Sequence, residues 1–145
     1  MKRGFTMIEI LISISIIAVL TAIGIVSYVS INKNSRDAKR RGDIEQLRSA
    51  LELFRSDKGY YPSVGTGNWI DASELNTGNV DTGLVDSYIP SIPSDPKGNT
   101  NPYKYKVTNL SGAIYYGYCL SAFIEGTGST SCTEYTGYNY ATKNP

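Results

Sequence analysis

The sequence contains no histidine among its 145 residues. The commonest general base in enzymes, the commonest zinc ligand and the side chain that titrates near neutral pH are therefore all missing. Its two Gly-Thr-Gly triplets, at 65–67 and 126–128, are not followed by the Lys-Ser/Thr pair of a phosphate-binding loop. No nucleophile stands out beside a base. We therefore predict that the protein is not an enzyme and holds no cofactor or catalytic metal.

The sequence also lacks an excess of either charge. Lys and Arg total 14, Asp and Glu total 13, and the formal net charge is +1. A domain that binds nucleic acid normally carries a basic excess, so the composition gives no support for a nucleic-acid partner. A chain of this length has room for one small domain and one special segment.

Proline is missing from the first 61 residues, and no side chain between Ile10 and Ile31 is charged at neutral pH. At about 1.5 Å per residue, a helix of this length crosses a hydrocarbon layer about 30 Å thick. Its apolar residues occupy all sides, so it must lie in lipid or inside a large assembly. The run is too long for a cleaved secretory signal. A plain signal anchor remains the simplest alternative.

Glu9 is the single charged residue in the apolar run that begins at Phe5. A carboxylate at the margin of the hydrocarbon costs a few kcal/mol if it is unpaired, so it needs a partner or must reach headgroup water. The motif Lys-Arg-Gly-Phe-Thr-Met-Ile-Glu at 2–9, followed by the apolar run, resembles the processing signal of type IV pilins and type II secretion pseudopilins.

The resemblance implies a precursor whose leader, residues 1–4, is removed by a prepilin peptidase that cuts between Gly4 and Phe5. The new N-terminal Phe5 is then N-methylated, and Glu9 pairs with the Phe5 amine of a neighbouring subunit, which sets the register of assembly. The implied partners are other copies of the chain in a helical homopolymer, the peptidase/methylase and the pilus assembly machinery. The subunit is expected in the inner membrane before assembly and in an extracellular surface filament afterwards.

A second helical pattern follows the apolar run. Ile44, Leu47, Leu51 and Phe54 recur at spacings of three and four, which predicts an amphipathic helix. We expect one helix with an apolar half at 5–31 and an amphipathic half at 32–58 that packs on a globular head. Gly59 then stands just past its end.

A basic run lies at the start of the amphipathic half: Lys33, Arg36, Lys39, Arg40 and Arg41. Counting positive charges would place the head in the cytoplasm, but the processing motif is more specific and places it outside. We predict that the run is a solvated helix face. A functional alternative is that it meets acidic groups of neighbouring subunits.

The head, residues 59–145, is predicted to contain a loop region at 59–102 and a sheet with a disulfide loop at 103–145. Short helices are expected near Ala72–Leu75 and Gly83–Tyr88. Tyr103–Thr108 and Ala113–Ile124 have the composition of strands joined as a hairpin. The last tyrosine-rich region is either a short strand or an ordered tail. The fold class is therefore α+β, with a long helix on a small antiparallel sheet.

Family resemblance continues into the head. The family has a proline-aspartate-proline turn that leads into the first strand. This chain is similar there: residues 88–98 contain Pro-Ser-Asp-Pro, and residues 102–105 are Pro-Tyr-Lys-Tyr. Lys97 departs from the pattern, since an aromatic residue is common there.

Two cysteines, Cys119 and Cys132, suggest one disulfide, which would contribute about 3 kcal/mol to a small exposed head. Two free thiols in a reducing compartment are the alternative. The sequence has 12 tyrosines, for which sheet packing and subunit contacts are preferred over adhesion to sugars or surfaces. Trp69 is ambiguous in the same way.

Type II secretion pseudopilins bind calcium through acidic residues of a C-terminal loop, where this chain has only Glu125 and Glu134. Asp71, Asp81 and Asp86 could still meet in space. The missing calcium pattern favours a structural subunit of a type IV pilus-like filament over a secretion pseudopilin, which is the first alternative. The second is a single-pass anchored binding module that never polymerises, and retention of residues 1–4 would favour it.

Overall fold

The structure, a computed structural model, describes residues 4–63, 67–76, 83–98, 100–111 and 114–144. It confirms the α+β class: a long N-terminal helix is followed by a four-stranded antiparallel sheet with strands in the order β1-β2-β3-β4. The elements are α1 (Met7–Lys58), β1 (Ile70–Asp71), a 3-10 helix (Ala72–Asn76), β2 (Lys104–Ser111), β3 (Ile114–Ala122) and β4 (Tyr140–Lys143). The leader residues before Gly4 lie outside the described residues.

Helix α1 runs through 52 residues, because no proline removes a backbone donor along it. It ends as predicted before Gly59, which has a φ of 83° and donates its N–H to the Arg55 carbonyl at 2.7 Å. Glycine adopts this left-handed conformation without steric cost. The chain divides into two compact units, Met1–Ser35 and Arg36–Pro145.

The core of the second unit is built on the predicted apolar stripe of α1. Ile44, Leu47 and Leu51 are wholly buried and Phe54 is nearly so, which stabilises the head by roughly 2 kcal/mol for each side chain. They share one hydrophobic cluster with inward-facing residues of the sheet, among them Tyr105, Val107, Tyr118 and Leu120. Several tyrosines therefore serve in packing, as predicted.

Strand β3 is one of the two central strands of the sheet. It pairs with β2 from Lys104↔Ser121 to Ser111↔Ile114 and with β4 from Cys119↔Lys143 to Ala122↔Tyr140. The last tyrosine-rich region thus leads into a strand, the first of the two outcomes that the sequence left open. The predicted hairpin is present, although its turn residue Gly112 and the expected strand start Ala113 lie outside the described residues.

Two elements differ from expectation. The helix predicted at Gly83–Tyr88 is wrong: Val85 and Ile89 form an isolated bridge around a tight turn, and Asp86 has a φ of 71° that a right-handed helix does not allow. The short helix near Ala72–Leu75 is confirmed. Strand β1 was missed, because two residues are too few to show a period of alternation.

Candidate assembly site

The cut site predicted between Gly4 and Phe5 lies in a non-helical segment just before α1 begins. Phe5 is 85% exposed. A Cβ added at Gly4 would meet no atom within 4 Å. The packing of the described chain therefore does not itself require a glycine at this position, and the bond on its carboxyl side is accessible.

Glu9 is joined to Thr6 by three reciprocal hydrogen bonds. The Thr6 N–H and the Thr6 hydroxyl each donate to Glu9 Oε2 at 2.8 Å, and the Glu9 N–H donates to Thr6 Oγ1 at 3.3 Å. This arrangement is a capping box, in which a threonine and a glutamate three residues later satisfy the free donors at a helix start. The sequence analysis missed the role of Thr6, although the Thr-x-x-Glu spacing could have revealed it.

The two hydrogen bonds that Thr6 donates leave part of the Glu9 carboxylate open. Both reach Oε2, and no described residue donates to Oε1. The side chain is solvent-exposed in the isolated chain. Glu9 is therefore fixed at the helix start while one of its oxygens stays available to a further donor.

The apolar half of α1 is unpartnered in the isolated chain. Its large side chains from Met7 to Ile31 are between 48% and 84% exposed wherever they are described. By its length and composition, α1 is long and apolar enough to cross a membrane. Exposure of this much apolar surface is not stable in water, so the segment belongs in lipid or against other helices.

Four hydroxyl side chains of this half are satisfied within the helix. Ser13, Ser15, Thr21 and Ser27 each donate to the carbonyl four residues earlier, at 2.7 to 3.2 Å. These bonds remove the cost of placing an unpaired hydroxyl in an apolar medium. These four side chains can therefore enter lipid or a helix bundle without leaving a hydroxyl unpaired.

In the head, a network of ion pairs joins α1 to two distant loops. It contains three cations and three carboxylates: Arg36, Arg40, Lys97, Asp37, Asp95 and Glu125. Arg40 is wholly buried at its centre. The guanidinium donates to Asp95 at 2.5 Å, to Asp37 at 2.9 Å and to Glu125 at 3.1 Å.

The network corrects part of the prediction that the basic run is a solvated face. Lys33, Lys39 and Arg41 are exposed as predicted, whereas Arg36 is half-buried and Arg40 is buried. Arg40 has no solvent exposure, and Arg36 donates to both oxygens of Glu125 at 2.7 and 2.8 Å. Arg41 donates to the Thr127 carbonyl at 3.0 Å, while Lys39 is exposed. Arg36 and Arg40 therefore bind carboxylates of their own head.

Opposite charges maintain the ionised state of the network. The hydrogen bond from Arg36, followed by those from Lys97 and Arg40, outweighs burial and holds the pKa of Glu125 well below its ordinary value of 4.5. Burial alone would lower the pKa of Arg40, but its bonds to Asp95, Glu125 and Asp37 outweigh burial and raise this pKa. Both side chains therefore remain charged across the ordinary pH range.

Acid is expected to weaken the head through Glu125. Because the pKa of Glu125 is lower in the folded state than in the unfolded chain, its stabilising contribution is complete above about pH 4.5 and is lost as the pH falls toward the folded value. Replacement of Glu125 by glutamine should lower the free energy of unfolding at neutral pH by about 2 kcal/mol. It should also flatten the acid limb of a plot of this free energy against pH. Parallel acid limbs for the two proteins in urea titrations would refute this role.

The predicted disulfide is present. Cys119 of β3 is bonded to Cys132, with a Cα–Cα separation of 6.2 Å. The loop it closes is further held by the Asp37 carboxylate, which accepts from the Glu125 and Gly126 N–H groups at 2.9 Å each. The disulfide and Asp37 fix opposite parts of the segment that follows β3.

Within the described ranges, no group of three or more acidic, cysteine or histidine side chains could hold a metal ion. Asp71 is paired with Lys104, Asp81 lies outside those ranges, and Glu125 is bound by three cations. The described residues therefore give no support to a cluster of Asp71, Asp81 and Asp86.

Two family models match the chain. The prokaryotic N-terminal methylation motif matches residues 1–25, and type II secretion system (T2SS), protein G, matches residues 27–116. No solved structure matches the chain significantly.

Curated relatives agree with these matches. The type II secretion system core protein G of Pseudomonas aeruginosa is 31% identical over 77% of this chain and 78% of its own length, and that of Escherichia coli is 29% identical over 77% and 81%. The type IV major pilin protein PilA of Myxococcus xanthus is 34% identical over 41% of this chain and 27% of the pilin. Such relatives are structural proteins rather than enzymes.

Proposed function

Since the chain belongs to the type II secretion system protein G family, which has relatives among the type IV pilins, we propose that it is the precursor of a pilin-type filament subunit. The prepilin peptidase removes residues 1–4 and N-methylates Phe5. The apolar half of α1 then leaves the inner membrane and packs with the same segment of other copies, while the heads form the outer surface. The exposed apolar helix with Glu9 at its start carries this proposal.

The position of the cut supports processing after Gly4. Residues 4–6, directly before α1, lie outside any helix or strand and are exposed, so that a peptidase could reach the bond between Gly4 and Phe5. Since the described chain leaves open space around Gly4, the need for a residue without a side chain comes from the peptidase. Phe5 then becomes the free N-terminus only four residues before Glu9.

Glu9 supplies the specific contact of assembly in this proposal. An apolar helix bundle has a low dielectric constant, in which an ionised carboxylate is stable only beside a cation and hydrogen-bond donors. Thr6 supplies the donors within the subunit, and the Phe5 amine of a neighbour supplies the cation at the open Oε1. Burial of the exposed apolar side chains supplies most of the free energy of assembly.

Two destinations are compatible with such a subunit. Matching of the protein G model to residues 27–116 favours a pseudopilin of type II secretion. The similarity to a major pilin over 60 residues favours a surface pilus. The C-terminal loop also favours it, because Glu125 is paired with three cationic side chains and is not free to bind calcium. We retain the surface pilus as the first candidate and the secretion pseudopilin as the second.

Deletion of the gene in native cells separates the two. For a pilus subunit, surface filaments disappear from the sheared fraction, and the set of proteins in the culture supernatant is unchanged. For a secretion pseudopilin, proteins disappear from the supernatant instead. The filament proposal fails if the deletion changes neither fraction and if native cells keep the protein in their membranes with residues 1–4 attached. An anchored binding module then remains.

A further inference from the structure

A row of side chains crosses the outer face of the head's sheet. Lys106 of β2 is directly opposite Cys119 of β3, which is directly opposite Lys143 of β4. Side chains paired in this way point to the same face, and strands lie about 4.8 Å apart, so the backbones of the two lysines are about 10 Å apart. Trp69 precedes β1 next to Lys106, with the Lys106 Nζ 6.0 Å from its ring centroid.

A cavity of about 340 Å³ lies over this row. Both lysines and the disulfide-bonded pair Cys119 and Cys132 line it. The other lining residues are Tyr118 and five residues with hydroxyl or amide side chains: Thr108, Ser131, Thr133, Asn109 and Asn144. The volume is in the range of sites for small ligands, and none of the described residues that line the cavity is a carboxylate.

The two lysines differ from their neighbour on the same face. Lys104 is paired with Asp71, whereas neither Lys106 nor Lys143 has a carboxylate partner in the part of the chain that is described. Two lysines thus line one cavity without a counter-ion among the described residues, although the chain as a whole is almost neutral. This arrangement attracts an anion.

The rest of the lining narrows the class of anion. Hydroxyl and amide side chains of the lining match the hydroxyl groups of a sugar. The half-buried Trp69 lies beside Lys106, outside the lining itself, and offers a flat apolar surface against which a second sugar ring can stack. A nucleic acid would require a basic stripe that follows its backbone, and on this face of the sheet only two lysines, Lys106 and Lys143, line the cavity.

We propose that this cavity binds an acidic carbohydrate of the uronic acid type. The sugar carboxylate lies between Lys106 and Lys143, its hydroxyl groups bond to the polar lining, and a neighbouring ring stacks on Trp69. The site belongs to the head alone, so it does not depend on filament assembly.

Trp69 is the chain's single tryptophan, so its fluorescence reports on the site. The full chain in neutral detergent micelles is titrated with trigalacturonic acid, and with maltotriose as the uncharged probe. We expect a saturable fluorescence change with the acid sugar that weakens as sodium chloride is added. Maltotriose should bind at least about tenfold more weakly.

The double variant K106Q/K143Q should lose at least about tenfold in affinity for trigalacturonic acid, since both charge-assisted bonds are removed. The matched control K39Q removes an exposed lysine from the amphipathic half of α1, in the same compact unit as the site, and should bind as the native chain does. Thermal unfolding of each protein, followed by circular dichroism, verifies that the head is folded.

Several outcomes would overturn the assignment. One is the absence of any saturable change, and another is unchanged binding by a folded K106Q/K143Q protein. If inorganic phosphate competes as tightly as the sugar binds, the cavity is an anion site without carbohydrate recognition. Tighter binding of a thymidine oligonucleotide would assign the site to nucleic acid.

Discussion

Replacement of Glu9 by glutamine is expected to abolish filament assembly while leaving the cut between Gly4 and Phe5 intact. Glutamine keeps the size of the side chain and its acceptor for Thr6, but it removes the charge. The Phe5 amine of a neighbour would then be buried in the helix bundle without a counter-charge, which costs about 3–5 kcal/mol at every subunit contact. At about tenfold per 1.4 kcal/mol, we expect filaments in the sheared fraction to fall by two orders of magnitude or more.

Glu45→Gln is the matched control. Glu45 is an exposed glutamate of the same helix whose one ion pair in the described structure, to Arg48, is 3.5 Å long. The Glu45→Gln variant should assemble normally, because such surface pairs contribute about 0–1 kcal/mol. Immunoblots of sheared and membrane fractions measure assembly, and N-terminal peptide masses measure cleavage. Normal filaments from Glu9→Gln would show that the carboxylate does not set the contact.

Arg40→Met is expected to have the largest effect on the stability of the head. The variant keeps an unbranched side chain in the core but leaves Asp37, Asp95 and Glu125 without their central cation. Removing one partner of a buried ionic group costs about 3–5 kcal/mol, a large share of the 5–15 kcal/mol that holds a typical domain. Urea unfolding of the full chain in micelles, followed by Trp69 fluorescence, measures the loss.

Arg48→Met is the control for this variant. Arg48 lies on the same helix with its side chain 30% exposed and one long ion pair to Glu45, so its replacement should change the free energy of unfolding by less than about 1 kcal/mol. Equal losses from the two variants would show that the buried network adds nothing beyond an ordinary surface pair.

Patterns that lie close together in the sequence predicted much of the fold. The spacing of Ile44, Leu47, Leu51 and Phe54 predicted both the helix and its buried face, and Gly59 marked its end. These signals can be recognised because the period of a helix, about 3.6 residues, is short enough to be seen within a single segment of the sequence. The capping box of Thr6 and Glu9 was equally local, and its spacing could have been recognised.

Contacts between distant residues could not be predicted in this way. Arg40 is held by Asp95 and Glu125, which are 55 and 85 residues away, so nothing near Arg40 distinguishes it from the exposed Lys39. The row of Lys106, Cys119 and Lys143 also depends on the register of three strands, and a slip of one residue would turn these side chains to the other face. Only the folded chain shows either group.

The most direct test of the filament proposal is the mass of the mature chain. Protein sheared from the surface of native cells is analysed by intact-mass and N-terminal peptide mass spectrometry without reduction. The account predicts a chain that begins at N-methylated Phe5 and has Cys119 linked to Cys132. A chain that occurs only in membranes and still begins at Met1 would contradict it.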